Sequence, residues 1–192
     1  MVEDLLIAPA RRLRHAPDRL LHPLRRRAVL RALRARRPPR TILVVCYGNI
    51  CRSPFAAGVL ARALRGGERG GPLVASAGFV GPGRGAPPDG IVAAEGRGID
   101  LSAHQSQLLT PALAAEAELI VVMDVRQQRT VCERFGRLPG DVILLGDLDP
   151  QAIDTRAIHD PVDQPLTVFE RSYARIERCV ESLAGALRQG RG

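Results

Sequence analysis

The sequence predicts an α/β protein of three layers (α/β/α), in which helices cover both faces of a four-stranded parallel sheet. Short apolar, β-branched runs alternate along the chain with longer segments of helical periodicity. The connections between them are short, which favours parallel strands joined by crossover helices. The predicted strands are 41–46, 72–76, 118–123 and 142–145, and the predicted helices lie near 54–65, 88–97, 111–116, 125–135 and 164–188.

The first strand and the first helix of this pattern are joined by a loop that predicts an anion site. Residues 41–45 (TILVV) are typical of a buried parallel strand. Pro54 begins the next helical segment, and proline is favoured in the first turn of a helix. The loop 46–53 therefore joins the carboxyl end of a strand to a helix N-terminus, where backbone N–H groups and the helix dipole attract anions.

The later elements place polar residues at the same edge of the predicted sheet. Asp124 directly follows the third strand and is predicted to cap the helix after it. Ser76 and Asp147 also fall near the ends of strands. The Gly- and Pro-rich run 78–90 predicts a loop beside the same site. Ligands of such sheets bind at this edge.

The loop 46–53 carries a thiol, a guanidinium and a hydroxyl. A thiolate is the reactive form of cysteine, and a helix N-terminus beside an arginine favours it, which makes Cys46 a candidate nucleophile. Arg52 can bind two phosphate oxygens with its planar fork. Gly48 permits tight curvature, Asn49 tolerates a left-handed backbone, and Ser53 can donate to a sulfur anion. A bare Cys-x5-Arg spacing also fits an inert glycine turn, but the flanking strand and helix favour the functional interpretation.

The string from Val45 to Pro54 (VCYGNICRSP) resembles the phosphate-binding loop of low-molecular-weight protein tyrosine phosphatases. The resemblance continues through later segments in the family's order, to roughly residue 188. These segments are 76–78 (SAG), 98–104 (GIDLSAH), 119–124 (LIVVMD), 159–161 (HDP), 168–170 (VFE) and 176–180 (IERCV).

The resemblance implies a phosphomonoester hydrolase that needs no metal or cofactor. Cys46 would attack phosphorus in line and form a phosphocysteine, while Arg52 and the loop amides hold the equatorial oxygens. Asp160 would protonate the leaving oxygen and then act as base for water, which predicts an acidic optimum. The phosphate-binding residues would be Tyr47, Gly48, Asn49, Ile50, Cys51, Arg52 and Ser53.

Other residues have supporting roles in this prediction. In the family, the thiol at the position of Cys51 pairs with the nucleophile under oxidation and protects it. Ser76 and His104 are candidate hydrogen-bond donors behind the loop, although a lone histidine is more often structural. Cys132 and Cys179 lie at helical positions and are predicted to be core residues.

Several departures from the family bear on the substrate, which is expected to be a phosphotyrosine protein or a small aryl phosphate. Val162 stands where many relatives have an aromatic residue after the Asp-Pro pair. Gln105 and Gln107 stand where arginines are usual, and only Phe79 lies near another aromatic position. Tyr47 offers some aromatic surface beside the nucleophile. Hydrolysis is unaffected, but phosphotyrosine specificity is left open.

Two alternatives use the same sequence features. Thioredoxin-coupled arsenate reductases resemble this fold and share the Cys-x5-Arg loop, but they relay a disulfide through further cysteines. Only Cys132 lies in the relevant region here, and Ile50 and Pro54 fit phosphatases better. A non-catalytic phosphate-binding protein is the other alternative, and the intact set of Cys46, Arg52 and Asp160 argues against it.

The charge divides the chain into a basic extension, residues 1–40, and a nearly neutral catalytic domain, residues 41–192. The extension holds twelve arginines and three acidic residues, a net charge of +9, and the remainder has a net charge of −1. Its apolar positions predict one or two amphipathic helices broken at Pro23. The extension is interpreted either as a surface for anionic lipid, nucleic acid or an acidic partner, or, slightly favoured, as a solvated, partly disordered segment.

The cysteines and the hydropathy suggest a cytoplasmic protein. The four cysteines fit no zinc-binding pattern, and a catalytic thiol suggests a reducing compartment. No apolar run is long enough to span a bilayer. The oligomeric state cannot be predicted from these features.

Overall fold

A computed structural model of the protein describes residues 16–65 and 71–190. Two short 3-10 helices, Pro139–Asp141 and Leu145–Leu148, flank the last strand. The main elements are α1 (Ala16–Ala35), β1 (Thr41–Cys46), α2 (Arg52–Leu64), β2 (Leu73–Gly78), α3 (Pro88–Glu95), α4 (Pro111–Glu116), β3 (Leu119–Val122), α5 (Val125–Phe135), β4 (Val142–Leu144) and α6 (Leu166–Arg188).

The four strands form one parallel sheet in the order β2-β1-β3-β4. In the centre, Val45 of β1 is in register with Ala77 of β2 and with Val122 of β3. This arrangement confirms the predicted fold class. The carboxyl ends of β1 and β2 therefore lie side by side, and the loop after β1 begins at that edge.

Alternate residues of the strands fill two separate cores, which is the pattern of a sheet covered on both faces. Ile42 and Val44 of β1 belong to the larger core, together with residues of α1, α2, α3 and α6. Leu43 and Val45 belong to the smaller core, together with residues of α4 and α5. The predicted three layers are thus present in the described residues.

A stack of aromatic rings supports the loop 46–53 from the side of the larger core. Phe55 of α2 and Tyr173 of α6 are stacked with ring centroids 4.0 Å apart, and Phe169 meets Tyr173 edge-on at 6.0 Å. Such pairs contribute about 0.5–1.5 kcal/mol each beyond their buried area. The Tyr173 hydroxyl donates to the Cys51 carbonyl at 3.4 Å, which ties α6 directly to the loop.

Side-chain caps begin two of the helices near the sheet edge. The Asp124 carboxylate accepts the backbone N–H of Gln127 at 2.8 Å, as predicted for the start of α5. Thr110 caps α4 in the same way through the N–H of Leu113. Gly136 ends α5 in the left-handed conformation with φ 65°.

The prediction that the basic segment breaks at Pro23 is wrong, because α1 runs without interruption from Ala16 to Ala35 with Pro23 inside it. A proline there removes one backbone hydrogen bond. Tertiary contacts on both sides of it hold the helix: His22 and Arg26 bond to backbone carbonyls of the domain. Residues 1–15 lie outside the described residues.

Helix α1 is also not the solvated segment that was favoured from the sequence. Leu33 is 1% exposed and Leu30 is 9% exposed, and both belong to the larger core. The opposite face carries exposed leucines and arginines. None of the helices in the described ranges is both long and apolar enough to cross a bilayer.

Candidate active site

The sulfur of Cys46 lies at the carboxyl end of β1 and is surrounded by hydrogen-bond donors. The backbone N–H of Asn49 donates to Sγ at 3.2 Å, and the Ser53 hydroxyl lies 3.0 Å from Sγ. Ser53 Oγ already accepts from the Asn49 side chain at 2.8 Å, so its own hydrogen is free to point at the sulfur. Two donors directed at one buried sulfur suit an anionic sulfur.

Asn49 holds the loop in shape through its backbone and both ends of its amide. Its φ is 52°, the left-handed conformation that asparagine tolerates, and it is fully buried. The two hydrogens of Nδ2 go to the hydroxyls of Ser53 and Ser76, each at 2.8 Å. Oδ1 accepts the backbone N–H of Gln107 at 2.7 Å. Every polar atom of this side chain is therefore used inside the site.

His104 bonds to the same residue from behind the loop. Its Nε2 lies 2.7 Å from the Asn49 carbonyl oxygen. A carbonyl oxygen only accepts, so Nε2 must carry the proton in this contact. The structure thus brings Ser76 and His104 into direct contact with the loop.

Gly78, the last residue of β2, allows the strand to approach the loop more closely than any other residue would. A Cβ atom there would lie 2.8 Å from both the Asn49 nitrogen and the Tyr47 carbonyl oxygen. The sequence analysis missed this steric role, although Gly78 belongs to the SAG segment. Gly48 has no such requirement, because an added Cβ would meet its nearest neighbours at 3.5 Å.

Arg52 opens α2 and lies buried between the loop and the segment 149–165. Its Nη1 donates to the Ile158 carbonyl at 3.1 Å, and its Nη2 forms an ion pair with the Asp160 carboxylate. Its Nε is buried and has no hydrogen-bond partner among the described residues. An unused buried donor of this kind calls for a further partner, such as a bound ion.

Asp160 faces the site from the segment that connects the second 3-10 helix to α6. Its side chain is 43% exposed, so a ligand or water can reach it. The segment is held on one side by the residue that follows β3, because the N–H of Ile158 donates to the Met123 carbonyl at 2.8 Å. On the other side Ser172 of α6 donates to the His159 carbonyl at 3.0 Å. Asp160 is therefore anchored next to Arg52 rather than free in solvent.

Comparison with known proteins decides the family. A profile of the low molecular weight phosphotyrosine protein phosphatases matches residues 41–191. The chain belongs to this family. The probable low-molecular-weight protein-tyrosine-phosphatase EpsP of Ralstonia nicotianae is 38% identical over 150 residues, 78% of this chain and 97% of EpsP.

Solved structures of family members match the same part of the chain. The tyrosine phosphatase AmsI of Erwinia amylovora superposes with a TM-score of 0.68 at 31% identity, covering 77% of this chain and 93% of AmsI. The YwlE arginine phosphatase of Geobacillus stearothermophilus superposes with a TM-score of 0.67 at 27% identity, covering 78% of this chain and 94% of YwlE. The protein is thus a cysteine-dependent phosphatase, and these relatives do not favour the arsenate-reductase alternative.

The second thiol of the phosphatase loop differs in character from the first. Burial, assisted by the neighbouring Cys46 and Asp160, raises the pKa of Cys51 to about 12. Cys51 is therefore a neutral thiol at any physiological pH. Cys179 is fully buried, as predicted, whereas Cys132 is only half-buried at the rim of the smaller core.

The mouth of the phosphatase site has one exposed aromatic ring and one arginine that the sequence analysis missed. Tyr47 is 59% exposed beside the nucleophile, whereas Phe79 packs against the smaller core. Val162 packs against the larger core. Arg84 is exposed on the loop between β2 and α3, and its Nη1 lies 3.5 Å from the position of a Cβ on Gly48. The one signal in the sequence for the location of Arg84 beside Gly48 was its position in the Gly/Pro-rich run.

Proposed function

We propose that Cys46, Arg52 and Asp160 perform the phosphatase reaction in two steps. In the first, the Cys46 thiolate forms a bond to phosphorus while the ester P–O bond breaks and Asp160 gives its proton to the leaving oxygen. In the second, water attacks phosphorus, Asp160 takes its proton, and the S–P bond breaks to release inorganic phosphate and the thiolate.

The positive charge for both steps comes from the loop. The backbone N–H groups of residues 47–53 and the guanidinium of Arg52 hold the equatorial oxygens. Arg52 exchanges the Asp160 carboxylate for phosphate oxygens when substrate binds, which leaves Asp160 free to face the leaving group. The observation that supports this assignment best is the buried Cys46 sulfur, which accepts the Asn49 N–H on the loop that leads directly to Arg52. The Arg52 Nε is itself buried and has no partner among the described residues.

Hydrolysis of p-nitrophenyl phosphate by wild type and Cys46→Ser tests the assignment. The variant is expected to lose turnover completely but still to bind vanadate or phosphate, because the loop amides and Arg52 remain. Ser53→Ala is the comparison, since it removes a donor to the sulfur without removing the nucleophile. Appreciable turnover by Cys46→Ser would exclude Cys46 as nucleophile, and thioredoxin-dependent arsenate reduction measured in parallel would favour the reductase.

We infer phosphotyrosine in proteins as the substrate. Two of the compared relatives are named as tyrosine phosphatases, and the exposed ring of Tyr47 offers a surface for a phenyl group. Peptides that carry phosphotyrosine or phosphoarginine, and p-nitrophenyl phosphate alone, separate the possibilities. Higher kcat/KM on phosphotyrosine peptides than on both others supports the inference, and a preference for either of the others contradicts it.

We propose that Cys51 protects the nucleophile by forming a disulfide with it. Hydrogen peroxide would oxidise Cys46 to a sulfenic acid, and the Cys51 thiol would then displace water to form the S–S bond. Peroxide-inactivated wild type is expected to recover with dithiothreitol, whereas Cys51→Ser is expected to recover much less. Equal recovery of both proteins would remove this role.

We propose that residues 41–192 are the catalytic domain of a cytoplasmic enzyme and that the extension 1–40 binds an anionic membrane surface. Support comes from the outer face of α1, where Leu20 is 77% exposed and further leucines and arginines are exposed. These residues are Leu21, Leu24, Arg27, Arg31 and Arg34. The four cysteines are free thiols, which suits a reducing compartment.

Sedimentation with vesicles tests the membrane proposal. We expect binding to phosphatidylserine-containing vesicles, little binding to pure phosphatidylcholine, and loss of binding in a Leu24→Ser, Arg31→Gln variant. If the full chain binds an acidic protein or nucleic acid but does not bind vesicles, the outer face of α1 would be assigned to that partner instead. Binding that the variant retains would place the contact elsewhere.

A further inference from the structure

The first half of α1 contacts the segment that carries Asp160. His22 is 5% exposed, and its Nε2 lies 2.9 Å from the carbonyl oxygen of Asp149. Since a carbonyl oxygen only accepts, His22 donates in this contact. One turn later Arg26 donates to the Leu148 carbonyl at 3.3 Å. The helix therefore holds the point at which the segment 149–165 leaves the 3-10 helix.

The side chain of Asp149 connects this contact to α6. Its carboxylate is buried and accepts Arg175 at 3.0 Å and Arg178 at 3.1 Å. The same Arg175 donates to the carbonyls of Thr155 at 2.7 Å and Ala157 at 2.8 Å, farther along the segment. His22 thus holds the backbone of Asp149. The Asp149 carboxylate orients Arg175, and Arg175 in turn holds the part of the segment that lies just before Asp160.

A second set of contacts joins α1 to the middle of the segment. The Asp18 carboxylate lies 3.5 Å from the backbone nitrogen of Arg156, and Arg19 pairs with Asp154 at 3.5 Å. The Arg156 guanidinium binds Asp147 in bidentate fashion at 2.8 and 2.7 Å. These residues lie only a few positions before Ile158, whose carbonyl accepts from Arg52.

Glycine makes this path of the segment possible. A Cβ on Gly146 would lie 1.9 Å from the Arg156 carbonyl oxygen, so the segment folds directly back against the 3-10 helix. The backbone between Arg156 and Asp160 has little freedom once both of its ends are held. Movement of the anchored end is therefore transmitted to Asp160 rather than absorbed.

We propose that α1 belongs to the catalytic unit, with His22 as a positioning residue for the general acid. Through Asp149 and Arg175 it holds the segment so that Asp160 reaches the leaving oxygen. The family profile begins at residue 41, so this contact is made by a part of the chain outside the matched region. The inference rests on Asp160 being the acid, and the experiment below separates the two.

The test is His22→Ala in the full chain, with kcat/KM measured on phenyl phosphate and on p-nitrophenyl phosphate. Phenolate is the poorer leaving group and depends more on the acid. We expect a loss of roughly fivefold or more on phenyl phosphate and less than about twofold on p-nitrophenyl phosphate. In an Asp160→Ala background the same substitution is expected to have no further leaving-group-dependent effect, because a positioning residue acts only through its target.

Ala28→Gly is the matched control. It weakens α1 by about 1 kcal/mol at an exposed position and removes no contact with the segment, so kcat/KM on each substrate is expected to match that of wild type. Three outcomes would each overturn the proposal. In His22→Ala, kcat/KM could fall equally on both substrates, or it could fall on neither. A selective fall on phenyl phosphate could also persist in the Asp160→Ala background. Asp18→Asn, at the helix start, provides the same comparison if His22→Ala does not fold.

If Asp160→Ala alone shows no leaving-group dependence, the assignment of the acid fails first. A selective effect of His22→Ala would then have to act through another group and would overturn the proposal as stated. A selective effect in both single variants, with none added in the double variant, supports the acid and its positioning together.

Discussion

At the scale of single residues, the two thiols of the loop are chemically identical groups whose surroundings differ. Cys46 receives hydrogen bonds from the Asn49 N–H and the Ser53 hydroxyl, whereas Cys51 is buried with a pKa raised to about 12 by desolvation. Only a thiolate is a strong nucleophile, so the reactivity of the pair should lie with Cys46.

We therefore predict selective alkylation of the loop. Iodoacetamide at pH 7 should modify Cys46 and leave Cys51 unmodified, because the pKa of Cys51 lies far above that pH and the thiolate fraction is negligible. Mass-spectrometric mapping of time points gives the order of modification, with the half-buried Cys132 as an internal reference. Modification of Cys51 before Cys46 would contradict the assignment.

Asp160 gives the second prediction at this scale. In Asp160→Ala, kcat/KM should fall by roughly 10²-fold or more on phenyl phosphate and by much less on p-nitrophenyl phosphate, since a good leaving group needs little protonation. Asp163→Asn is the matched control: it removes an exposed carboxylate in the same segment, asparagine tolerates the left-handed backbone at φ 60°, and the wild-type ratio should be retained. Similar losses on both substrates would show that Asp160 is not the acid.

At the scale of elements, the loop keeps its shape because β2 passes directly behind it. The backbone N–H of Gly78 donates to the Gln107 carbonyl, and the next N–H, of Phe79, donates to the Tyr47 carbonyl, both at 2.8 Å. Strand β2 thus supplies the rigid support on which the left-handed turn at Asn49 rests.

Gly78→Ala should disturb this support. The new Cβ would lie within 2.9 Å of three loop atoms that include backbone, so the loop must shift, and we expect a loss of roughly 1–3 kcal/mol in the free energy of unfolding together with lower kcat. Gly81→Ala, which meets nothing within 4 Å, is the control. Denaturant melts and p-nitrophenyl phosphate turnover measure both effects, and wild-type values for Gly78→Ala would contradict the steric argument.

At the scale of the whole molecule, the net positive charge lies in the extension and not in the part of the chain that carries the site. Residues 41–192 are nearly neutral, so we expect the attraction for phosphate to be local and to come from Arg52 and the loop amides. The excess of +9 lies in residues 1–40, whose helix α1 presents arginines on its outer face.

Because we assign the positive potential to the loop itself, we predict that catalysis is independent of metal ions. Dialysis against EDTA should leave kcat and KM for p-nitrophenyl phosphate unchanged, and adding Mg²⁺ or Zn²⁺ afterwards should not raise the rate. A fall in rate that one of these ions restores would show that part of the charge on the transition state is neutralised by a metal.

The sequence by itself determined the features that depend on neighbouring residues. The loop 46–53, its flanking strand and helix, the left-handed Asn49 and the cap by Asp124 are all formed within a few positions of the chain. Periodicity and turn chemistry act over that range, so they could be predicted without tertiary information.

Only the tertiary structure decided which distant residues complete the site and what α1 does. Arg52 and Ile158 lie 106 positions apart, and His22 and Asp149 lie 127 apart, so no local pattern indicates either contact. The continuity of α1 through Pro23 has the same cause. Local propensity predicts a break there, but burial and hydrogen bonds made across the fold outweigh the one bond that proline removes.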